Sequence, residues 1–290
     1  MVSGLLLLSS SLLSGELVGH TGAIGSLFKP LSGGNLALSK RDGTLGVLSP
    51  PGTPIIVATP ASAVRDVYQR TVPERREDLT FLCNGMVRDI LAAETDPLTI
   101  ACLYVGVISR DCEAGTHEIA FSEATPSILH GRHAEALGSL FDEVGLPHKV
   151  CPDVAAAREA CLVKLVWSSA LWLVCADTGC SVDKAHLTAS YAPLVEELWA
   201  AAAATASADR HGSQSLSLHD VEAQLRAYSA CLPGVVPSAE LARGELAFRN
   251  GWFLRRGAID EEKQPTHTAL LRRHHAEGGF LSFRASSASI

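Results

Sequence analysis

Apolar residues follow two rhythms along this chain, and the change between them falls near residue 150. In the first half they form short blocks separated by glycine, proline and polar residues. Such blocks, about four to eight residues long and bounded by turn formers, predict buried strands. The spacing predicts strands at Leu12–Val18, Asn35–Ser39, Pro54–Thr59, Leu79–Cys83, Leu98–Ile108, His117–Phe121, Pro126–His130 and His148–Val150, with a clipped strand at Leu45–Leu48. Helices are expected after the first glycine turn, over Ser62–Arg70 and over Arg132–Val144, the last closed by Gly145. From Val154 the pattern turns helical. A long helix runs through Cys161–Ala176 and stops at Thr178-Gly179, and further helices are expected at Tyr191–Ala208 and Leu218–Ala230. Strands alternating with helices, then helices alone, predict an α/β domain over residues 1–150 and an all-α domain over residues 151–290.

The stretch Cys161–Ala176 is apolar almost throughout and carries one charge, Lys164. At about 3.6 residues per turn, Lys164, Ser168 and Trp172 share a face. A cation in so apolar a helix is costly unless it meets water, a carboxylate or a ligand. Two readings follow. The lysine snorkels to the surface from a core helix, or it is held at a cleft, where it can donate a proton and bind an anion. The run falls short of the roughly 20 residues of a membrane span and has the lysine inside it, so no membrane association is expected.

Composition narrows the classes. The chain has 290 residues, 47% of them hydrophobic, enough to fill sizeable cores. Its formal charge is −7 with scattered basic residues, which argues against nucleic acid as a partner. The eight cysteines show no CxxC pair and read as free thiols in a reducing compartment, the cytoplasm, with no metal site. The opening MVSGLLLLSSSLLSG lacks the positively charged region of a signal peptide and reads as a ragged start to the first strand. A leader for an organelle is the alternative, because the stretch is serine-rich and poor in acids.

Candidate chemistry begins at Gly19-His20-Thr21-Gly22-Ala23-Ile24-Gly25, between an apolar strand and a helix. Glycines at such a turn let a pyrophosphate approach backbone N–H groups at the positive helix end. The spacing is GxxGxxG, one turn residue longer than the usual GxGxxG. The second strand ends in Ser39-Lys40-Arg41, where a dinucleotide fold selects its ribose. Basic residues there accommodate a 2′-phosphate, so Arg41, with Lys40 or Ser39, points to NADP(H); a solvated turn is the bland reading. Asn84, in Asn84-Gly85-Met86, follows a strand at its carboxyl end and is placed to touch a nicotinamide or a substrate.

Taken in order, these elements resemble the ketopantoate reductase (2-dehydropantoate 2-reductase, PanE/ApbA) family. The resemblance rests on Gly22-Ala23-Ile24-Gly25, Arg41, Val57-Ala58-Thr59, Asn84-Gly85-Met86, Tyr104-Val105-Gly106-Val107, Lys164-Leu165, Pro237-Ser238, Glu245 and Asn250-Gly251, and spans Val18 to Arg273. It implies a Rossmann-type domain followed by 6-phosphogluconate dehydrogenase-like C-terminal helices, and NADPH-dependent reduction of a small 2-keto acid by a monomer or homodimer. It implies Lys164 as the general acid, Glu245 as its orienting carboxylate, Ser238 as a ligand of the substrate carboxylate, and Asn84, Ser168 and Asn250 as further substrate contacts. Cofactor contacts would come from Gly19, Gly22, Ala23, Ile24, Gly25, Lys40, Arg41 and Asn84. Three positions depart from the family pattern. Pro60 stands where a lysine is usual, and Ser168 and Trp172 stand where the long helix carries asparagines. A related reductase with another keto substrate, or a dinucleotide-binding sensor without turnover, are the competing readings.

Overall fold

A computed structural model of the chain describes residues 14–33, 36–40, 42–82, 84–91, 98–111, 116–207, 216–237, 239–255 and 263–276. Five short strands, β1 (Gly15–Val18), β2 (Leu36–Leu38), β3 (Ile55–Val57), β4 (Leu79–Phe81) and β5 (Thr99–Cys102), lie parallel in the order β2-β1-β3-β4-β5. A two-stranded antiparallel ribbon follows, β6 (Gly106–Asp111) with β7 (Thr116–Ala120). The main sheet then gains β8 (Ser127–His130), antiparallel to β5, and β9 (His148–Val150), parallel to β8.

The central strands are buried at every position because helices cover both faces. Their side chains alternate between two cores, as the two-residue period of a strand requires. Leu17 and Ile56 pack with Phe28 of α1 (Ala23–Phe28) and Leu137, Leu140 and Phe141 of α4 (Ala134–Glu143). Ile55 and Val57 face the other way, onto Val64 and Val67 of α2 (Val64–Arg70) and Val87 and Leu91 of α3 (Val87–Leu91).

The chain leaves β1 towards β2 on one side and returns as β3 on the other. The connections therefore diverge at the carboxyl ends of β1 and β3, where open α/β sheets hold their ligands. Gly19 occupies that point with φ +81°, and a Cβ there would lie 2.5 Å from the carbonyl oxygen of Ala58. Gly25 must be small for a second reason. A Cβ on it would lie 2.2 Å from the Gly19 carbonyl oxygen, so this glycine lets α1 close onto the turn.

Two sequence expectations change. The clipped strand at Leu45–Leu48 does not form; Leu45 makes a single parallel bridge to Thr71. The two prolines at Pro50-Pro51 supply no N–H for a ladder, and polar side chains pin the crossover instead. Glu16, fully buried, accepts from Gly46 N (2.9 Å), Leu48 N (3.3 Å) and Ser39 Oγ (2.6 Å). Arg75 donates to the carbonyl oxygens of Gly46, Ser49 and Thr53 and pairs with Asp78 at 2.6 Å. The expected strand Leu98–Ile108 splits at Leu103–Val105, where Tyr104 N donates to Ser127 Oγ (3.0 Å) and the chain departs into the ribbon.

The second half is organised by α5 (Val154–Thr178). The Asp153 side chain accepts from Ala155 N at its start, and Gly179 (φ +70°) ends it in the left-handed conformation. The helix is long and apolar enough to cross a membrane, yet 78% of its most apolar window is buried inside the protein. It packs on β5 and β8 with one side, and on α6 (Tyr191–Ser207), α7 (Leu218–Ala230) and α10 (Pro265–Ala276) with the other. Two short helices, α8 (Ala239–Glu245) and α9 (Asn250–Arg255), link α7 to α10.

Asp78 tests the crossover network. Burial opposes its ionisation, but hydrogen bonds from Arg75, His133 and Gly52 N outweigh that and hold its carboxyl below the usual range. A depressed carboxylate pKa stabilises the fold above the unfolded value, about 3.9 for Asp, and that contribution disappears as pH falls through the folded value. Asp78→Asn is expected to cost about 3 kcal/mol in urea unfolding at pH 7, because Arg75 loses its buried partner. The deficit should shrink below about pH 4. An equal deficit at pH 7 and pH 3 would assign the loss to packing.

Candidate active site

The crevice at the carboxyl ends of β1, β3 and β4 is bordered by the Gly19–Gly25 turn, by Ala58–Ala61 and by Asn84-Gly85. Gly22 opens α1 without a side-chain cap, so the first amides of that helix, Ala23 and Ile24 among them, find no capping group there. Asn84 is exposed. Gly85 (φ +104°) sits between the two halves of the chain, with its Cβ position 3.6 Å from both Ala61 Cβ and Phe248 Cβ. Phe248 lies in the turn between α8 and α9, so this segment borders the crevice. Trp252 Nε1 fastens α9 to α3 by donating to Asp89 Oδ2 (2.7 Å).

Lys164 is only 6% exposed. It does not snorkel. Among the described residues its amine has ring faces for neighbours and no hydrogen-bond or ion-pair partner: Tyr228 at 3.6 Å, Trp167 at 4.1 Å and Tyr104 at 5.2 Å to the ring centroids. These rings also hold one another. Tyr104 meets Tyr228 edge-on at 5.1 Å, Trp167 lies 4.4 Å from Tyr228, and Trp167 Nε1 donates to Ser229 Oγ.

Each ring face favours an ammonium by about 0.5–2 kcal/mol. Burying an ion costs several kcal/mol, so burial wins and pushes the Lys164 amine well below its ordinary value. The Arg249 guanidinium pushes the same way, while Cys102 and Glu245 oppose it. Burial also raises the Tyr104 and Tyr228 phenols, which stay protonated donors.

The expected Lys164–Glu245 contact is replaced by another. Glu245 forms its ion pair with Arg249, one turn on, and the Arg249 guanidinium stacks on Trp172 at 3.9 Å. Glu245 remains near enough to favour the charged form of Lys164. Arg249 is 6% exposed, and its Nε has no partner among the described residues. This arginine was not assigned a role from the sequence, although its spacing of four from Glu245 is the spacing of a helical ion pair. The aromatic enclosure was equally invisible, because Tyr104, Trp167 and Tyr228 come from three separate elements.

Other candidate residues fall elsewhere. Ser168 is buried and spends its hydroxyl on the Leu165 carbonyl oxygen (3.1 Å). Asn250 is 1% exposed and acts as an interior tie, donating to Ser169 O (3.4 Å) and contacting His267 Nε2 (3.0 Å). His267 is fully buried, and burial pushes its pKa down to about 3, so its ring is neutral. Ser39 is turned inward to Glu16 and has no proton left to donate to a phosphate, whereas Lys40 is exposed at the end of β2. Arg41 and Ser238 lie outside the described residues, as do Cys83 and Ala208.

No family model and no curated protein sequence matches the chain. Its fold does match solved structures along nearly the whole length. It is the fold of a Rossmann-type domain followed by a helical region, shared with ketopantoate reductases of the PanE/ApbA family. The 2-dehydropantoate 2-reductase from Methylococcus capsulatus superposes with a TM-score of 0.63 at 15% identity, over 93% of this chain and 99% of that one. The dimeric ketopantoate reductase from Staphylococcus aureus gives 0.61 at 14% identity, over 92% and 100%. A D-mandelate dehydrogenase in complex with NADH gives 0.61 at 17% identity, over 91% and 98%.

Burial of Lys164 has a stability consequence with a definite sign. A folded lysine pKa below the unfolded value, about 10.4, means the unfolded chain binds more protons, so the lysine destabilises the fold throughout that window. Lys164→Met is therefore expected to unfold at a denaturant midpoint no lower than the wild type at pH 7. Its advantage should vanish as pH rises towards about 10.4. A variant less stable at pH 7 would show that the cation has an unseen partner.

Proposed function

We propose that the protein is a nicotinamide-dependent reductase that converts a small 2-keto acid to the 2-hydroxy acid, with NADPH as reductant and 2-dehydropantoate as the leading substrate. One observation carries the reading. A buried lysine amine without a hydrogen-bond or ion-pair partner among the described residues lies in the helical half, close enough to Glu245 and Arg249 to feel both charges, and the segment bearing those two borders the ligand crevice of an open α/β sheet. The shared fold with ketopantoate reductases and an NADH-bound D-mandelate dehydrogenase supports it.

The crevice suits a dinucleotide, because the turn is glycine-lined where backbone must come close and α1 opens with uncapped amides. Gly19, Gly22, Ala23, Ile24 and Gly25 would hold the pyrophosphate, Lys40 and Arg41 the 2′-phosphate, and Asn84 the nicotinamide end. When bound, the cofactor supplies a hydride.

The protein's own part is proton supply and charge. As negative charge develops on the keto oxygen, Lys164 Nζ donates the proton; a lysine with a lowered pKa holds that proton loosely enough to give it up. Glu245 favours the protonated form before transfer. Arg249 adds a fixed cation suited to a carboxylate, with Ser238 as a second ligand, and Trp172 supplies an apolar wall. The free thiols suit the cytoplasm, and with 2-dehydropantoate as substrate the enzyme serves pantothenate biosynthesis as a monomer or homodimer.

The test is oxidation of NADPH and NADH with 2-dehydropantoate and a panel of aliphatic and aromatic 2-keto acids, alongside cofactor binding by fluorescence. The expected result is turnover with NADPH, reduced about 10²- to 10⁴-fold in Lys164→Met with binding retained. Binding without turnover on any acid identifies a dinucleotide-binding module. No binding of either dinucleotide overturns the reading.

A further inference from the structure

Behind Lys164 the fold brings two thiols together. Cys102 ends β5 and is buried; Cys161, three residues before Lys164 on α5, lines a pocket. The Cys102 thiol reaches the backbone of the residue before Cys161, which makes the two thiols neighbours. Cys102 Sγ and Tyr104 OH both donate to the Ala160 carbonyl oxygen, at 3.4 and 3.5 Å, which locks β5 against this turn of α5. The pocket wall beside Cys161 carries Arg88 and Arg158, set among Ile100, Ile128 and Val154. Asp89, paired with Arg158 at 3.7 Å, is the acidic group facing the same place.

The electrostatics make the two thiols unequal. The Cys102 thiol beside it lowers the Cys161 thiol, burial opposes it, Arg88 and Arg158 lower it further, and Asp89 works against them; the balance is downward. Cys102 is pushed well up, first by Cys161 beside it and then by burial. The pair therefore consists of a pocket-facing thiol inclined to ionise and a buried thiol beside it. That is the arrangement of an attacking and a resolving cysteine. The neighbouring pair Cys175 and Cys180 is a useful contrast. There burial, with Cys180 beside it, pushes Cys175 up to about 12.

We propose that Cys102 and Cys161 form a reversible oxidation site for small hydroperoxides entering the arginine-lined pocket. The Cys161 thiolate attacks the peroxide O–O bond, giving a sulfenic acid and releasing an alcohol or water. The Cys102 thiol then attacks the sulfenyl sulfur. An S–S bond forms, the S–O bond breaks, and hydroxide leaves with the Cys102 proton as water. Two thiols are oxidised for each peroxide reduced. The resulting bond joins β5 to α5 three residues before Lys164, so oxidation acts on the lysine's surroundings. This site stands or falls independently of the proposed reductase activity.

The experiment treats the full chain with one equivalent of hydrogen peroxide, blocks remaining thiols by alkylation, and maps peptides without reduction. The expected result is a Cys102–Cys161 cross-link, loss of two alkylatable thiols, and recovery of both with dithiothreitol. Cys102→Ser should instead accumulate a dimedone-trapped sulfenate on Cys161, and Cys161→Ser should trap none on Cys102. Wild-type mapping decides the matter even where a variant fails to fold. Cross-linking of Cys175 to Cys180 or other pairs, with Cys102 and Cys161 still fully alkylatable, would overturn the proposal.

Discussion

A lysine amine enclosed by three aromatic rings, with no acceptor among the described residues, has to be held in place by everything around it. Left free, Lys164 would move to water, since burying its charge costs more than the ring faces return. It stays because α5 is covered on both sides. The sheet lies against one flank through β5 and β8, and α6, α7 and α10 lie against the other. The same enclosure lowers the amine's proton affinity, so one packing arrangement sets both the cost of burying the cation and its readiness to give up a proton. Such local cost, offset by packing elsewhere, is characteristic of functional sites.

The crevice depends on a second constraint, the close approach of backbone at Gly19. With β1 and β3 side by side and their connections diverging, the turn after β1 has room only for glycine against Ala58, and α1 can close only because Gly25 has no side chain. The region that would have extended the sheet beyond β2 became a loop, and Glu16, Arg75 and Asp78 hold it by buried hydrogen bonds instead of a strand ladder. These three residues explain how a shortened α/β sheet keeps its topology. Polar groups buried in this way must all be satisfied, and the network satisfies them through backbone of the loop it orders.

Much of this was legible in the sequence, for identifiable reasons. The parallel strands announce themselves as apolar blocks because both their faces are covered, and α5 and α7 because their polar caps and terminal signals are local. Lys164 stood out as a lone charge in an apolar run. What escaped the sequence was tertiary. Glu245 turns to Arg249 rather than to Lys164, Asn250 is consumed by His267 and Ser169, and Ser168 by its own helix. Each of these side chains is taken up by a partner within the protein, and nothing in the order of residues ranks competing partners. The break in the strand at Leu103–Val105 was hidden likewise, since Tyr104 leaves the ladder to join an enclosure built from α5 and α7.

The central claim is that the fold confines the Lys164 amine away from water, and the most direct measurement is its titration. With lysine labelled at ¹³Cε, the resonance missing from Lys164→Met identifies the residue, and its shift followed from pH 5 to 11 gives the pKa. The account predicts a midpoint well below the ordinary value of about 10.4. It also predicts that Arg249→Gln moves the midpoint upward, because one cation beside the amine is gone. A midpoint at the ordinary value, unmoved by Arg249→Gln, would contradict it: the amine would then be solvated, and the aromatic enclosure would not exist in solution.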